Sequence, residues 1–284
     1  MDLTNKTIIK DLLKKHRTGP EKYLGQHFIL SKKALSQIIT AAEIKKNDTI
    51  IEIGPGLGTL TQELAKIPHP FSKGGGLKII AIEKDLKMIN ILGETLTGHK
   101  NIKIIQADAR GDKLGIKIAK NKYKIVANLP YNVATFLIRQ WLELKNSPKL
   151  MVLMIQKEVA QRMTAKPPHM NLLAVSTQFL AIAKVVDYVP AKAFWPKPKV
   201  DSAIIKIVPK KRPPQKTRRA FFAVVKAGFS QPRKQLIGNL TKKLKTPREK
   251  LMEIFKNLNI SERARAENLS LEQWILLAKE IENN

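Results

Sequence analysis

The segment "EIGPGLGTLT" (52–61) puts Gly54, Gly56 and Gly58 between an apolar run and the start of a helical pattern. Such a turn lets backbone approach a ligand closely at a helix N-terminus. The spacing is G-x-G-x-G. Thr59 stands where the dinucleotide fingerprint needs its third glycine, which demotes a nicotinamide dehydrogenase. Glu83, in "AIEKD", ends the next apolar run and can accept hydrogen bonds from both hydroxyls of a ribose. Asp108, in "QADA", ends the third run and can accept from an adenine amino group. Taken singly, Glu83 also reads as a surface acid opening a helix, and Asp108 as a helix N-cap or turn residue. A glycine turn and two acids at three successive strand ends together point to an adenosine site.

The pattern resembles class I S-adenosylmethionine-dependent methyltransferases. Their ligand carries no phosphate, and the chain has no G-x-x-x-x-G-K-[ST] phosphate loop. "NLPYN" (128–132) then follows the fourth apolar run, "YKIVA", on the same sheet edge. An exocyclic amine of a base is a poor nucleophile, because its lone pair is delocalised into the ring. Two acceptors gripping its N–H bonds pyramidalise the nitrogen and aim the lone pair at a sulfonium methyl. Asn128 offers a side-chain oxygen, Leu129 or Pro130 a backbone carbonyl fixed by the proline, and Tyr131 a stacking face. The sulfonium charge disperses in the transition state, so positioning outweighs acid–base catalysis. The base must leave its stack to reach such a pocket.

The elements that would position these residues are legible as apolar periodicity. Buried strands are expected at 49–54, 77–83, 102–108, 123–128 and 150–156, separated by segments of helical length. That alternation is the sequence form of a parallel doubly wound sheet. Runs at 183–189 and 202–208 follow a helix at about 171–182 and are expected to finish the sheet as an antiparallel pair. "PKKRPPQKT" (209–217) reads as a linker. Beyond it come amphipathic helices, with Pro232 and Pro247 at first-turn positions. The expected division is a catalytic domain at 1–208 and a helical domain at 209–284.

Lys and Arg number 52 against 23 Asp and Glu, a net charge of +29. Such a field favours polyanions, nucleic acid before a membrane surface. From Lys206 to Lys250 there are 15 basic residues and one acid, Glu249, so the charge gathers on the helical domain. Arg218, Arg219, Arg233 and Lys234 are the candidate RNA contacts there. With no cysteine, disulfide scaffolds and thiolate metal sites are excluded. No stretch has the length of a membrane span or a signal-peptide core, and a cytoplasmic location is expected.

The chain resembles the ribosomal RNA adenine N6,N6-dimethyltransferases of the small subunit, the kasugamycin-sensitivity family. The likeness runs through "YLGQHFI" (23–29), "EIGPGLGTLT", "AIEKD", "QADA" and "NLPYNVAT". It continues in "MIQKEVAQRM" (154–163), "FWPKPKVDSAI" (194–204) and "ERARAENLSLEQW" (262–274). It implies an α/β fold: a Rossmann-like class I methyltransferase domain with a mainly parallel seven-stranded sheet, and a small C-terminal all-helical domain. It implies that His27 and Ile29 lie against the cofactor, Gly54 under its methionine part and Asn128 beside its methyl. Phe194 would stack opposite Tyr131 on the target base. The family often has Asn and Leu where His27 and Ile29 stand, and an arginine where Pro232 stands. "PHPFSKGGG" (68–76) is longer than usual. The implied reaction dimethylates N6 of two adjacent adenosines near the 3′ end of 16S rRNA. The implied partner is that RNA in a small-subunit assembly intermediate, bound by a monomer. One alternative is a large-subunit adenine methyltransferase of the macrolide-resistance type. The other is a non-catalytic RNA-binding assembly factor on the same fold.

Overall fold

The computed structural model describes residues 1–21, 24–67, 76–111 and 123–283. The elements begin with α1 (Lys6–Lys15), β1 (Phe28–Ile29), α2 (Lys32–Ala42), β2 (Thr49–Ile53), α3 (Thr59–Ala65), β3 (Lys78–Glu83), α4 (Leu86–Thr95) and β4 (Ile102–Gln106). Next come β5 (Tyr123–Asn128), α5 (Ala134–Glu143), β6 (Leu150–Gln156), α6 (Lys157–Met163), α7 (Leu172–Leu180), β7 (Ala181–Val189), β8 (Phe194–Trp195) and β9 (Ser202–Pro209). The chain ends in α8 (Gln215–Gly228), α9 (Leu236–Leu244), α10 (Arg248–Asn257) and α11 (Leu271–Asn283). The 68–76 loop lies, but for Gly76, outside the described residues.

Contacts divide the chain into two units. The first is Met1–Ala160 with Lys184–Pro209, and the second is Gln161–Ala183 with Lys210–Asn284. Seven strands form one sheet in the order β4-β3-β2-β5-β6-β9-β7. β4, β3, β2, β5 and β6 run parallel, and β9 runs antiparallel to β6. The last two strands close one edge, with β7 outermost. Chain order reverses between β2 and β5, so a crevice opens above the carboxyl ends of these two strands, where ligands bind in open α/β sheets.

β-Branched runs make this sheet because both its faces are covered. Ile50, Val126, Val152, Met154 and Ile204 pack with Leu35 and Ile38 of α2. A second cluster joins Ile9, Leu12 and Leu13 of α1 to Leu57, Met88 and Ile91. Asn5 caps α1 by accepting from Thr7 N–H at 2.9 Å, and Lys14 and Lys15 in the last turn suit the helix dipole.

In the second unit Phe179 of α7 stacks on Phe221 of α8 at 3.7 Å between ring centroids. Segment 161–183, expected in the first domain, therefore packs with the C-terminal helices. An amphipathic pattern shows that a helix has an apolar face without showing what covers it. Asn239 ties the α8–α9 turn by donating to the carbonyls of Gly228, at 2.7 Å, and Gln231, at 3.0 Å. Pro232 lies in that turn, ahead of the helix start at Leu236, whereas Pro247 is the N-cap of α10.

Candidate active site

The carboxyl ends of β2, β3, β4 and β5 converge on one cavity of about 310 Å³. Parallel register makes them level: Ile53 pairs with Ile82, Glu83 with Gln106 and Asn128 with Met154. Pairing continues past β4, where Ala107 N–H donates to Glu83 O at 2.9 Å, so Asp108 arrives beside Glu83 two residues after its strand ends.

Gly54 and Gly56 have φ of +65° and +57°, which an L side chain rarely adopts. A Cβ on Gly56 would lie 3.4 Å from the Phe28 ring. The Gly56 N–H donates to Glu83 Oε2 at 3.2 Å, and the other oxygen accepts from Lys84 and Asp85 N–H at 2.7 and 2.9 Å. Burial pushes the Glu83 carboxyl up, and these three N–H groups pull it back. Asp108 accepts from Arg110 Nη2 at 2.6 Å and pairs with Lys84 at 3.0 Å. The Arg110 guanidinium holds its carboxyl well below the usual carboxylate range.

The "NLPYN" turn forms the opposite wall. Asn128 Nδ2 donates to His27 O at 3.2 Å, which orients the amide and leaves Oδ1 for another donor. Leu129 N–H donates to Met154 O, and Pro130 O accepts from Val133 N–H, which fixes both ends of the turn. Tyr131 is half-buried; burial pushes its hydroxyl up, and that hydroxyl shares a 2.7 Å hydrogen bond with Ser202 Oγ. Its ring stacks on His27 at 5.8 Å between centroids, while His27 Nδ1 sits 2.6 Å from Pro196 O. His27 and Ile29 both line the cavity.

Phe194 does not. It is 3% exposed and packs among Ile29, Val126, Met154 and Ile204. β8 pairs antiparallel with β1, with Phe194 opposite Ile29. The ring stacked on Tyr131 in this structure is His27.

Glu52 was not anticipated. It lines the cavity at 2% exposure, and its Oε2 has no hydrogen-bond partner among the described residues. Burial pushes its carboxyl up to about 8, the Thr61 hydroxyl opposes that, and the Glu83 charge adds to it. The signal was there: an acid inside the apolar strand "TIIEI". Ser202 carried no comparable signal, because only folding brings it to Tyr131; Arg110, two residues after Asp108, was close in sequence but did not stand out among the chain's many basic residues.

A family model described as ribosomal RNA adenine dimethylase matches residues 19–283. The chain belongs to that family. A ribosomal RNA small subunit methyltransferase A of Dehalococcoides mccartyi is 39% identical over 282 residues, covering 97% of this chain and 93% of the relative. The crystal structure of a dimethyladenosine transferase from Plasmodium falciparum has a TM-score of 0.72 at 26% identity, covering 90% of this chain and 98% of that one. The 23S rRNA methyltransferase ErmE, 24% identical, shares the fold at a TM-score of 0.72 over 90% of this chain and 99% of its own.

Dimethylases of this family take their methyl group from S-adenosylmethionine, and the cavity fits it. Its volume is within the range of small-molecule sites. The glycine turn supplies a wall without side chains, Glu83 and Asp108 supply acceptors, and the Glu52 carboxyl adds an unpartnered polar group. Of the four basic candidates, Arg219, Arg233 and Lys234 are exposed. Arg218 is half-buried, with Nε out of solvent and no hydrogen-bond partner for it among the described residues.

Proposed function

We propose that this protein methylates N6 of two adjacent adenosines near the 3′ end of small-subunit (16S) rRNA, giving N6,N6-dimethyladenosine. The observation that carries the reading is one cavity with adenosine acceptors on one wall and the Asn128–Tyr131 turn on the other. It acts as a cytoplasmic monomer on a small-subunit assembly intermediate, through the basic helical unit. A net charge of +29 and the full-length likeness to a small subunit methyltransferase A support that substrate. No helix among the described residues is long and apolar enough to cross a membrane.

S-Adenosylmethionine supplies the electrophilic methyl group when bound. Glu83 holds the ribose hydroxyls; Asp108, whose oxygens accept from Arg110 N–H, Nε and Nη2 and pair with Lys84, takes the adenine amino group in exchange for one of these exposed partners. Gly54 and Gly56 admit the methionine part. Asn128 Oδ1 accepts one N–H of the target amine. The carbonyl of Leu129 or Pro130 takes the other; Pro130 O accepts from Val133 N–H on one of its two lone pairs. Tyr131 stacks on the target base, its angle set by Ser202 and its back supported by His27. Likeness to the large-subunit enzyme extends to the fold alone, and an intact turn beside intact acceptors favours catalysis over a purely binding role.

The test offers labelled S-adenosylmethionine with unmethylated small subunits, large subunits and naked RNAs, followed by mapping of the labelled base. Label on two adjacent adenosines of the small subunit is expected. Label confined to the large subunit, or none, contradicts the proposal.

A further inference from the structure

We infer that Phe136 is a stacking platform for the nucleobase next to the target adenosine in the substrate RNA. The inference deepens the proposed function and rests on it for the identity of the substrate. Phe136 is 54% exposed on α5, whose buried face is Ala134, Leu137, Ile138 and Trp141. A single exposed apolar side chain is ordinary; the position of this one is not. Leu137 N–H donates to Val133 O at 3.0 Å, so helical geometry reaches back into the catalytic turn. Residues three and four apart share a helix face. Phe136 therefore stands one turn above Val133, the N-cap of α5, which lines the cavity. The exposed ring is thus one helical turn from a lining residue of the pocket proposed to take the target base.

The same face continues to Arg139, whose side chain is 69% exposed and pairs only with Glu143, at 2.9 Å, among the described residues. An exposed pair of this spacing is weak, so the guanidinium can exchange Glu143 for a phosphate. An aromatic ring with a guanidinium one turn away is the chemistry that holds a single-stranded nucleotide, ring to base and cation to phosphate. Flipping one adenosine out of its stack also strips its neighbour of a stacking partner. A π-face there restores that partner without reading sequence.

The test uses the full-length protein and an RNA hairpin carrying the mapped target, with 2-aminopurine at the adjacent nucleotide. Stacking on wild type is expected to change the probe's emission on binding. Phe136→Ala and Phe136→Leu should abolish that change and raise the KM for RNA about 5- to 150-fold. Phe136→Trp should keep both at wild-type level. The Kd for S-adenosylmethionine and the melting temperature should not move in any of the three variants. Wild-type behaviour in Phe136→Leu would show a generic apolar contact and overturn the platform, as would an unchanged Phe136→Ala. A wild-type protein that changes the probe's emission but methylates no RNA would overturn the proposed function and leave the platform standing.

Discussion

At the scale of single residues, two acids in the same cavity are held in opposite states. Asp108 stays ionised between Arg110 and Lys84, while Glu52 is kept protonated at neutral pH by burial. Between its ordinary value of 4.5 and about 8, the folded chain keeps a Glu52 proton that the unfolded chain has released. The wild type therefore loses stability across that window as pH rises. Glu52→Gln removes the titration. Melting temperatures of the two proteins should diverge in favour of Gln between pH 5 and pH 8.5, and a gap that does not change with pH contradicts the assignment. Glu83→Ala should weaken cofactor binding by about 1.5–3 kcal/mol through loss of a charged acceptor. Calorimetry reads it, and an unchanged affinity returns Glu83 to the role of a turn-bracing acid. That Glu83 and Asp108 meet at one cavity was legible in the sequence, because strand ends in a doubly wound sheet share one edge. The stacking of His27 on Tyr131 was not, because the two rings are more than a hundred residues apart in the chain and only folding brings them together.

Among the elements, β5 carries the Asn128–Tyr131 turn and is anchored from beneath. Lys124 is 3% exposed, pairs with Asp48 at 2.7 Å and donates to the carbonyls of Ala42, at 2.9 Å, and Glu43. Those carbonyls close α2, where Glu43 is in the left-handed conformation. Lys124→Ala would leave Asp48 without its cation and should destabilise the fold by about 3–5 kcal/mol, read by chemical denaturation. A loss below about 1 kcal/mol would show that water replaces the lysine. Nothing in "YKIVAN" announces this, since a lysine inside a strand ordinarily reads as surface. The strands themselves were legible: 150–156 matches β6, and 77–83 matches β3 to within a residue. β1 and β8 were not, because two-residue strands have no period to detect.

Across the whole molecule, charge and chemistry occupy different stretches of chain: the adenosine acceptors and the turn lie between residues 52 and 131, and the dense basic segment between 206 and 250. If that segment binds phosphates, replacing Arg233 and Lys234 with Ala should flatten the log–log salt dependence of RNA binding by about 0.7–0.9 per lost contact. Affinity should fall with it, while cofactor affinity stays the same. An unchanged slope places the phosphate contacts elsewhere. The central claim is that Asn128 acts on the adenine amine during transfer and does not merely shape the turn. Its most direct test is single-turnover methyl transfer to unmethylated small subunits at saturating S-adenosylmethionine, comparing wild type with Asn128→Ala. By analogy with loss of one preorganised group in a closed site, the rate should drop about 100-fold or more, with RNA affinity and melting temperature near wild type. Transfer by Asn128→Ala at the wild-type rate would contradict the account.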